Sequence, residues 1–223
     1  NDTTTTEIYT PLYTLSLITH PGHEIESALD HEIPDVMTPF PVEYARRSQN
    51  RAGVPTLVPV PAGCGSPVKA VVLVLKKFTQ KKKAQNFLYR RELHREGDLK
   101  VNYDDQAQRQ KKDTLVIENL KNQYGLKLVY YTALKPNFEQ ILDSNIAQEE
   151  KAALLAQAAI DSITREIFDK GLDGIQYLAD NIDAGVVTAL TEPYAQAILE
   201  KAGNAPNLDQ ERRFIALDKG INP

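Results

Sequence analysis

The sequence predicts an α+β fold, and three observations carry that prediction. Segments up to Leu134 are short, rich in β-branched and aromatic residues and punctuated by Pro and Gly. From Phe138 onward the apolar spacing turns helical, and strands followed by helices, rather than alternating with them, argue an α+β fold or a β-domain with a helical appendage. The composition, 42% hydrophobic and 25% charged residues among 223, is that of an ordinary globular protein. A chain of this length buries roughly 70% of its unfolded surface without a disulfide or metal staple.

Residues 1–7, with four consecutive threonines, carry too little apolar surface to pack. Tyr9 to Ile18 suits a strand, Pro11 restricting its early part to an edge or an entry, and His20-Pro21-Gly22 stops it. Glu24 to His31 reads as a short helix with Ile25, Ala28 and Leu29 on one side, ended near Pro34. Phe40 to Ser48 reads as a strand with Val42 and Tyr44 on one face, and Asn50 to Gly53 as a turn. Thr56 to Val60 is a further strand, short or at an edge because Pro55, Pro59 and Pro61 lack ladder donors. Ala62 to Ser66 reads as a hairpin loop into Val68 to Leu75, whose unbroken apolar run marks it as the centre of the sheet.

A helix is expected next, with Thr79 as N-cap and Gly97 as terminator, then a polar connector over Asn102 to Lys112. Thr114 to Leu120 and Leu126 to Leu134 are strands joined by a turn at Asn122 to Gly125. The helices are Gln148 to Lys170, Gly174 to Ala184 and Pro193 to Ala202, with Gly171, Gly185 and Gly203 as breakers.

The net charge of −4 gives no reason to expect nucleic acid. Lys76, Lys77, Lys81, Lys82 and Lys83 with Arg90, Arg91 and Arg95 are locally basic, but the chain has no tryptophan and Tyr89 is the candidate to stack on a base, so a solvated helix start is the favoured reading over phosphate contact. Cys64 is the single cysteine, which excludes an intrachain disulfide and thiol-rich metal sites, and it sits between two glycines in an expected exposed loop. Val68 to Leu75 is far too short to span a bilayer, so no membrane partner is expected. The expected compartment is the cytoplasm, with a start at Asn1 that leaves a removed leader open. There is no Gly-x-Gly-x-x-Gly after a strand, no P-loop, no zinc-binding His-Glu-x-x-His and no Gly-x-Ser-x-Gly elbow. His20, His23 and Glu24 cluster and His31 lies beyond them, but histidines in a Pro/Gly turn are more often solvated than metal-bound.

The chemistry-bearing stretch is Ala84 to Asp98. On a helix, Ala84, Leu88 and Glu92 share a face with Phe87 and Arg91 beside them, so an apolar stripe runs into a carboxylate. Glu92 is then either a general base or the partner of a neighbouring arginine. Arg90, Arg91 and Arg95 would lower its pKa while burial would raise it, and the sequence does not decide between them.

Several motifs in order resemble the γ-glutamylcyclotransferase-like family: Phe40 to Ser48, then Gly53-Val54-Pro55-Thr56-Leu57-Val58-Pro59, an apolar strand, and Tyr89-Arg90-Arg91-Glu92. Gly174 to Leu178 and Gly185 to Leu190 look like the helical tail of prokaryotic members. The resemblance implies a small mixed β-barrel with flanking helices and a helical C-terminal extension, needing no metal or cofactor. It implies intramolecular cyclisation of a γ-glutamyl amine or amide, releasing 5-oxoproline and a free amine, with Glu92 at the catalytic position as general acid/base. The family's Tyr-Gly-Ser loop is matched best by Tyr13-Thr14-Leu15-Ser16-Leu17, which has no glycine and one extra residue. Leu15 in place of glycine bears on how closely a substrate approaches the backbone. Tyr130 or Tyr131 corresponds to a tyrosine that lines the family's pocket.

The resulting expectation is a tail over 1–8, a barrel over 9–146, a helical extension over 147–217 packed on it in the same domain, and a tail over 218–223. The expected partner is a small-molecule γ-glutamyl substrate, with a homo-oligomer left open. The alternative is a non-catalytic homologue acting as a binding or interaction protein through the Lys76 to Lys83 surface or the helices from Gln148 to Ala202.

Overall fold

The computed structural model describes residues 7–11, 21–77, 79–111, 114–203 and 205–222, with the backbone alone for 7–11 and Ala202. The fold is α+β. The chain divides into two compact units, one made of Asn1–Thr38 and Lys69–Lys135, the other of Pro39–Val68 and Pro136–Pro223.

The first unit holds β1 (Glu7–Pro11), α1 (His23–Ala28), β2 (Leu29–Met37), β5 (Lys69–Leu75), α2 (Lys81–Glu92), α3 (Asp105–Gln110), β6 (Val116–Gln123) and β7 (Leu126–Ala133). Its sheet runs β2-β5-β1-β7-β6, antiparallel except where β1 lies parallel to β7. No pairing joins β2 to β6 among the described residues, so no closed barrel is seen. The middle strand is β1. The apolar run β5 lies beside it, paired on both sides, which satisfies its backbone while Ala70 and Val72 to Leu75 are buried.

Residues 29–37 correct the expected helix over Glu24 to His31. The helix stops at Ala28, and the strand that follows accepts Pro34 because it is an edge strand whose register slips between Ile33 and Val36. Another correction falls at the end of α2. Gly97 does not stop this helix: the chain turns at His94, φ 52°, with Arg95 N–H donating to the Arg90 carbonyl (2.8 Å) and His94 N–H to that of Arg91 (3.0 Å). These bonds form a Schellman closure with histidine in the left-handed position that glycine usually takes. The start also moves, since Gln80 is the N-cap and no side chain caps it. The polar connector contains α3, capped by the Asp104 carboxylate accepting from Ala107 N–H at 3.0 Å. The turn between β6 and β7 lies where expected, with Tyr124 and Gly125 at φ 55° and 78°, as a type I′ hairpin requires. The core packs Ala84, Phe87 and Leu88 of α2 with Ile25, Leu73, Leu75, Tyr103, Ile117 and Tyr130. Each large apolar side chain buried there contributes about 1.5–3 kcal/mol.

The second unit holds the antiparallel pair β3 (Val42–Ser48) and β4 (Val54–Pro59), then α4 (Glu139–Leu142), α5 (Gln148–Asp161), α6 (Arg165–Asp169), α7 (Gly174–Asp183), α8 (Thr191–Ala202) and α9 (Leu208–Asp218). Pro55 and Pro59 fit β4 because a two-stranded sheet has no interior strand. The segment after β4 is not a hairpin loop to β5: Val42 and Ser66 exchange backbone hydrogen bonds, laying the segment back against β3. The single helix expected over Gln148 to Lys170 is two. Ser162 donates to the Ala159 carbonyl and Thr164 caps a new helix by accepting from Ile167 N–H. Gly174 is required by proximity, since a Cβ there would sit 2.7 Å from Ala159 of α5.

No helix among the described residues is long and apolar enough to cross a membrane.

Candidate functional site

The apolar stripe of α2 ends on Glu92 as the 3.6-residue period requires, with Leu88 fully buried one turn earlier. The Glu92 side chain is 14% exposed, and its Oε1 accepts from Arg91 Nη1 at 3.2 Å. Burial is the largest influence on this carboxyl and pushes its pKa up, against the nearby Arg91 guanidinium. The balance that the sequence left open therefore falls to burial. Arg91 is itself buried, and desolvation pulls its pKa down.

The other two arginines are engaged elsewhere. Arg90 makes a bidentate pair with Glu24, Nε to Oε2 at 2.8 Å and Nη2 to Oε1 at 2.7 Å. This pair is buried, Arg90 also donates to the Val101 carbonyl, and the arginine holds the Glu24 carboxyl below the usual range. Arg95 pairs with Asp98. Glu92 thus meets one cation rather than three. A further carboxylate, Glu96, lies close by: its Oε1 fills the space a Cβ at Gly22 would take, is buried and accepts no hydrogen bond among the described residues, with His23 Nδ1 at 3.7 Å.

Tyr130 and Tyr131 are consecutive on β7, so they point to opposite faces of the sheet. Tyr130 is 5% exposed and lies in the same core cluster as Phe87 and Leu88. Tyr131 stands across from Glu118 on β6, and burial together with that carboxylate pushes its phenol up to about 12. The structure therefore brings Tyr130, and not Tyr131, to the core beneath α2. Tyr13, Thr14, Leu15, Ser16 and Leu17 lie outside the described residues, as does His20.

Among the described residues no group of three His, Cys, Asp or Glu side chains could hold a metal ion. Glu24 is committed to Arg90, and His31 Nδ1 lies 2.9 Å from Asp30 Oδ2. Of the basic stretch, Lys76 donates to the Ser27 carbonyl, Lys82 to that of Tyr103, and Lys83 sits over the Phe87 ring. These lysines are tied to their own unit.

Glu43, Asp173 and Glu211 are buried carboxyls that the sequence did not single out, and Glu43 is the one that burial shifts clearly. Glu43 on β3 is 1% exposed, and burial lifts its pKa to about 7. Its signal was a carboxylate inside the stretch Val42 to Arg46, every residue of which is buried.

The chain matches no family model, no curated protein and no solved structure.

Proposed function

We propose that the protein cyclises a γ-glutamyl amine or amide, with Glu92 as general acid/base. The observation that carries this reading is Glu92 itself: a carboxyl at the end of a buried helix stripe, shielded from water and raised above its ordinary value by burial. A raised carboxylate is a better proton acceptor for the substrate amine. The amine nitrogen then attacks the γ-carbonyl carbon, the bond from that carbon to the leaving nitrogen breaks, and the proton held by Glu92 passes to the departing amine. Because nucleophile and electrophile belong to one molecule, holding the substrate bent supplies much of the rate. The Tyr13-Thr14-Leu15-Ser16-Leu17 loop binds the substrate in this reading, Tyr130 lines the pocket, and closure of the sheet into a barrel belongs to the same proposal.

Release of 5-oxoproline from a panel of γ-glutamyl compounds tests it. Glu92→Gln should lower release by about 10²- to 10⁴-fold, the usual range for loss of an acid–base group. Equal release from wild type and variant overturns the assignment.

A specific observation favours a second reading, a homologue that binds without turnover: the hydrogen-bond partner of Glu92 is its neighbour Arg91, as in an ordinary ion pair. Under that reading no panel member yields 5-oxoproline, and Leu15→Gly does not create activity.

A further inference from the structure

Glu43 projects from β3 into a set of neutral polar groups. Its Oε1 accepts from Tyr44 N–H at 2.9 Å and from the Thr188 hydroxyl at 2.7 Å, and the Leu190 N–H also acts on the carboxyl. Thr188 is fixed in turn, its N–H donating to Thr191 Oγ1 at 2.8 Å and its own Oγ1 accepting from Leu190 N–H at 3.3 Å. Residues 185–190 join α7 to α8 and alternate strictly: Val186, Thr188 and Leu190 are buried while Val187 and Ala189 are exposed. One side-chain bond, from Thr188 to Glu43, ties this segment to β3 through a carboxyl 145 residues distant in sequence.

The groups facing that carboxyl leave its charge largely uncompensated. Lys151 of α5 is the one cation acting on it, at no hydrogen-bonding distance among the described residues. The carboxyl also acts on the Tyr44 phenol, and Tyr177 of α7 and Tyr194 of α8 pack on Tyr44, with ring centroids 5.3 Å apart for Tyr44 and Tyr194 and 6.5 Å for Tyr44 and Tyr177. Burial pushes all three phenols up, so none supplies charge at neutral pH. Asp173 acts on Tyr194 and Arg51 on Tyr177. The Thr191 hydroxyl faces Tyr44, yet among the described residues the buried Tyr44 and Tyr194 hydroxyls make no hydrogen bond of normal geometry. Nothing in this layer solvates a carboxylate as water would, so an ionised Glu43 gains by exposure.

We propose that Glu43, Thr188 and Thr191 form a proton-operated latch that fastens residues 185–190 to β3, closed while the carboxyl is protonated and loosened when it ionises. The direction follows from linkage. The closed state holds the proton more tightly than an opened, hydrated state, so closure is fully favoured below the ordinary carboxylate value and weakens as pH rises.

Amide hydrogen exchange on the full chain between pH 5 and 8, corrected for intrinsic exchange, tests the latch. Protection of residues 185–190 should fall by roughly 10-fold per pH unit up to about 7 and then level off, while α5 keeps its protection. In Glu43→Gln the same segment should lose this pH dependence. A flat wild-type profile, an unchanged slope in the variant, or a parallel loss across α5 overturns the proposal. Should Glu43→Gln fail to fold, the ¹³C carboxyl titration of Glu43 in the wild type decides. A midpoint near 7 supports the latch, and one in the ordinary range near 4.5 overturns it.

Discussion

Glu92 and Glu43 are both carboxyls kept from water, and burial lifts both, yet their surroundings differ in kind. Glu92 ends a helix stripe and meets the guanidinium of its neighbour, itself buried. Glu43 sits within a strand among hydroxyls, amides and phenols, with its cation at a distance. Burial of an ion with its counter-ion makes each dependent on the other, because removing one leaves a bare charge. Burial among neutral donors makes the group depend on its proton instead. The two units thus carry two different electrostatic solutions, and mutation and pH should separate them.

The largest effect should come from Arg91→Met. With the guanidinium gone, Glu92 is a buried charge without its partner, and stability at pH 7 should fall by about 3–5 kcal/mol. Much of that loss should return as pH is lowered and Glu92 takes up a proton. In the other unit, Lys151→Met should change stability by less than about 0.5 kcal/mol, because that lysine acts from a distance. Urea denaturation of both variants at pH 7 and pH 4.5 checks this, and a comparable loss in both erases the contrast.

A smaller effect with the opposite sign is expected at Glu43. Its folded value, about 7, lies above the ordinary 4.5, so its stabilising contribution is complete below about 4.5 and is lost as pH rises through 7. Glu43→Gln removes the titration while keeping an acceptor for Thr188. At pH 8 the variant should be more stable than wild type by roughly 2–3 kcal/mol, and at pH 4.5 about equal to it. A constant difference across that range would show that Glu43 does not titrate abnormally.

How much of this was legible in the sequence depends on the range of the interaction. The α2 stripe, the β6–β7 hairpin and the helices α7 and α8 were legible because period and turn chemistry are local, whereas the break at Ser162 and the helices α4 and α9 were not foreseen. Glu92 was legible for the same reason, its environment being set by Leu88 four residues earlier and Arg91 beside it. The strand at Leu29–Met37 was not, because Pro34 counts against a strand until the edge position of β2 is known. The stop of α2 was misplaced because His94 takes a left-handed conformation that favours glycine, leaving Gly97 as the obvious but wrong marker. Gly97 instead donates its N–H to Glu24, at 3.3 Å. The separation of the β3–β4 pair from the five-stranded sheet depends on pairing between distant segments, which strand propensity does not encode. Glu43 was hidden for that reason too, since its partner Thr188 lies far along the chain.

The smallest effect, and the finest test of the contrast, is Thr188→Val. This substitution keeps the shape of a buried side chain and removes the hydroxyl that donates to Glu43 Oε1 at 2.7 Å, together with its acceptance from Leu190 N–H. Loss of a hydrogen bond to a neutral acceptor costs about 1 kcal/mol. Below pH 5 the Glu43 carboxyl is neutral and the latch is closed, so the variant should lose about 1 kcal/mol; at pH 8 the ionised carboxyl has loosened from Thr188 and the loss should shrink toward zero. The difference arises because the hydroxyl contributes only while the segment stays fastened to the protonated carboxyl. Denaturation of wild type and variant at the two pH values measures it. A loss independent of pH would mean that Thr188 sees the same carboxyl charge throughout, and that Glu43 is held neither by its proton nor by its donors in the way its surroundings imply.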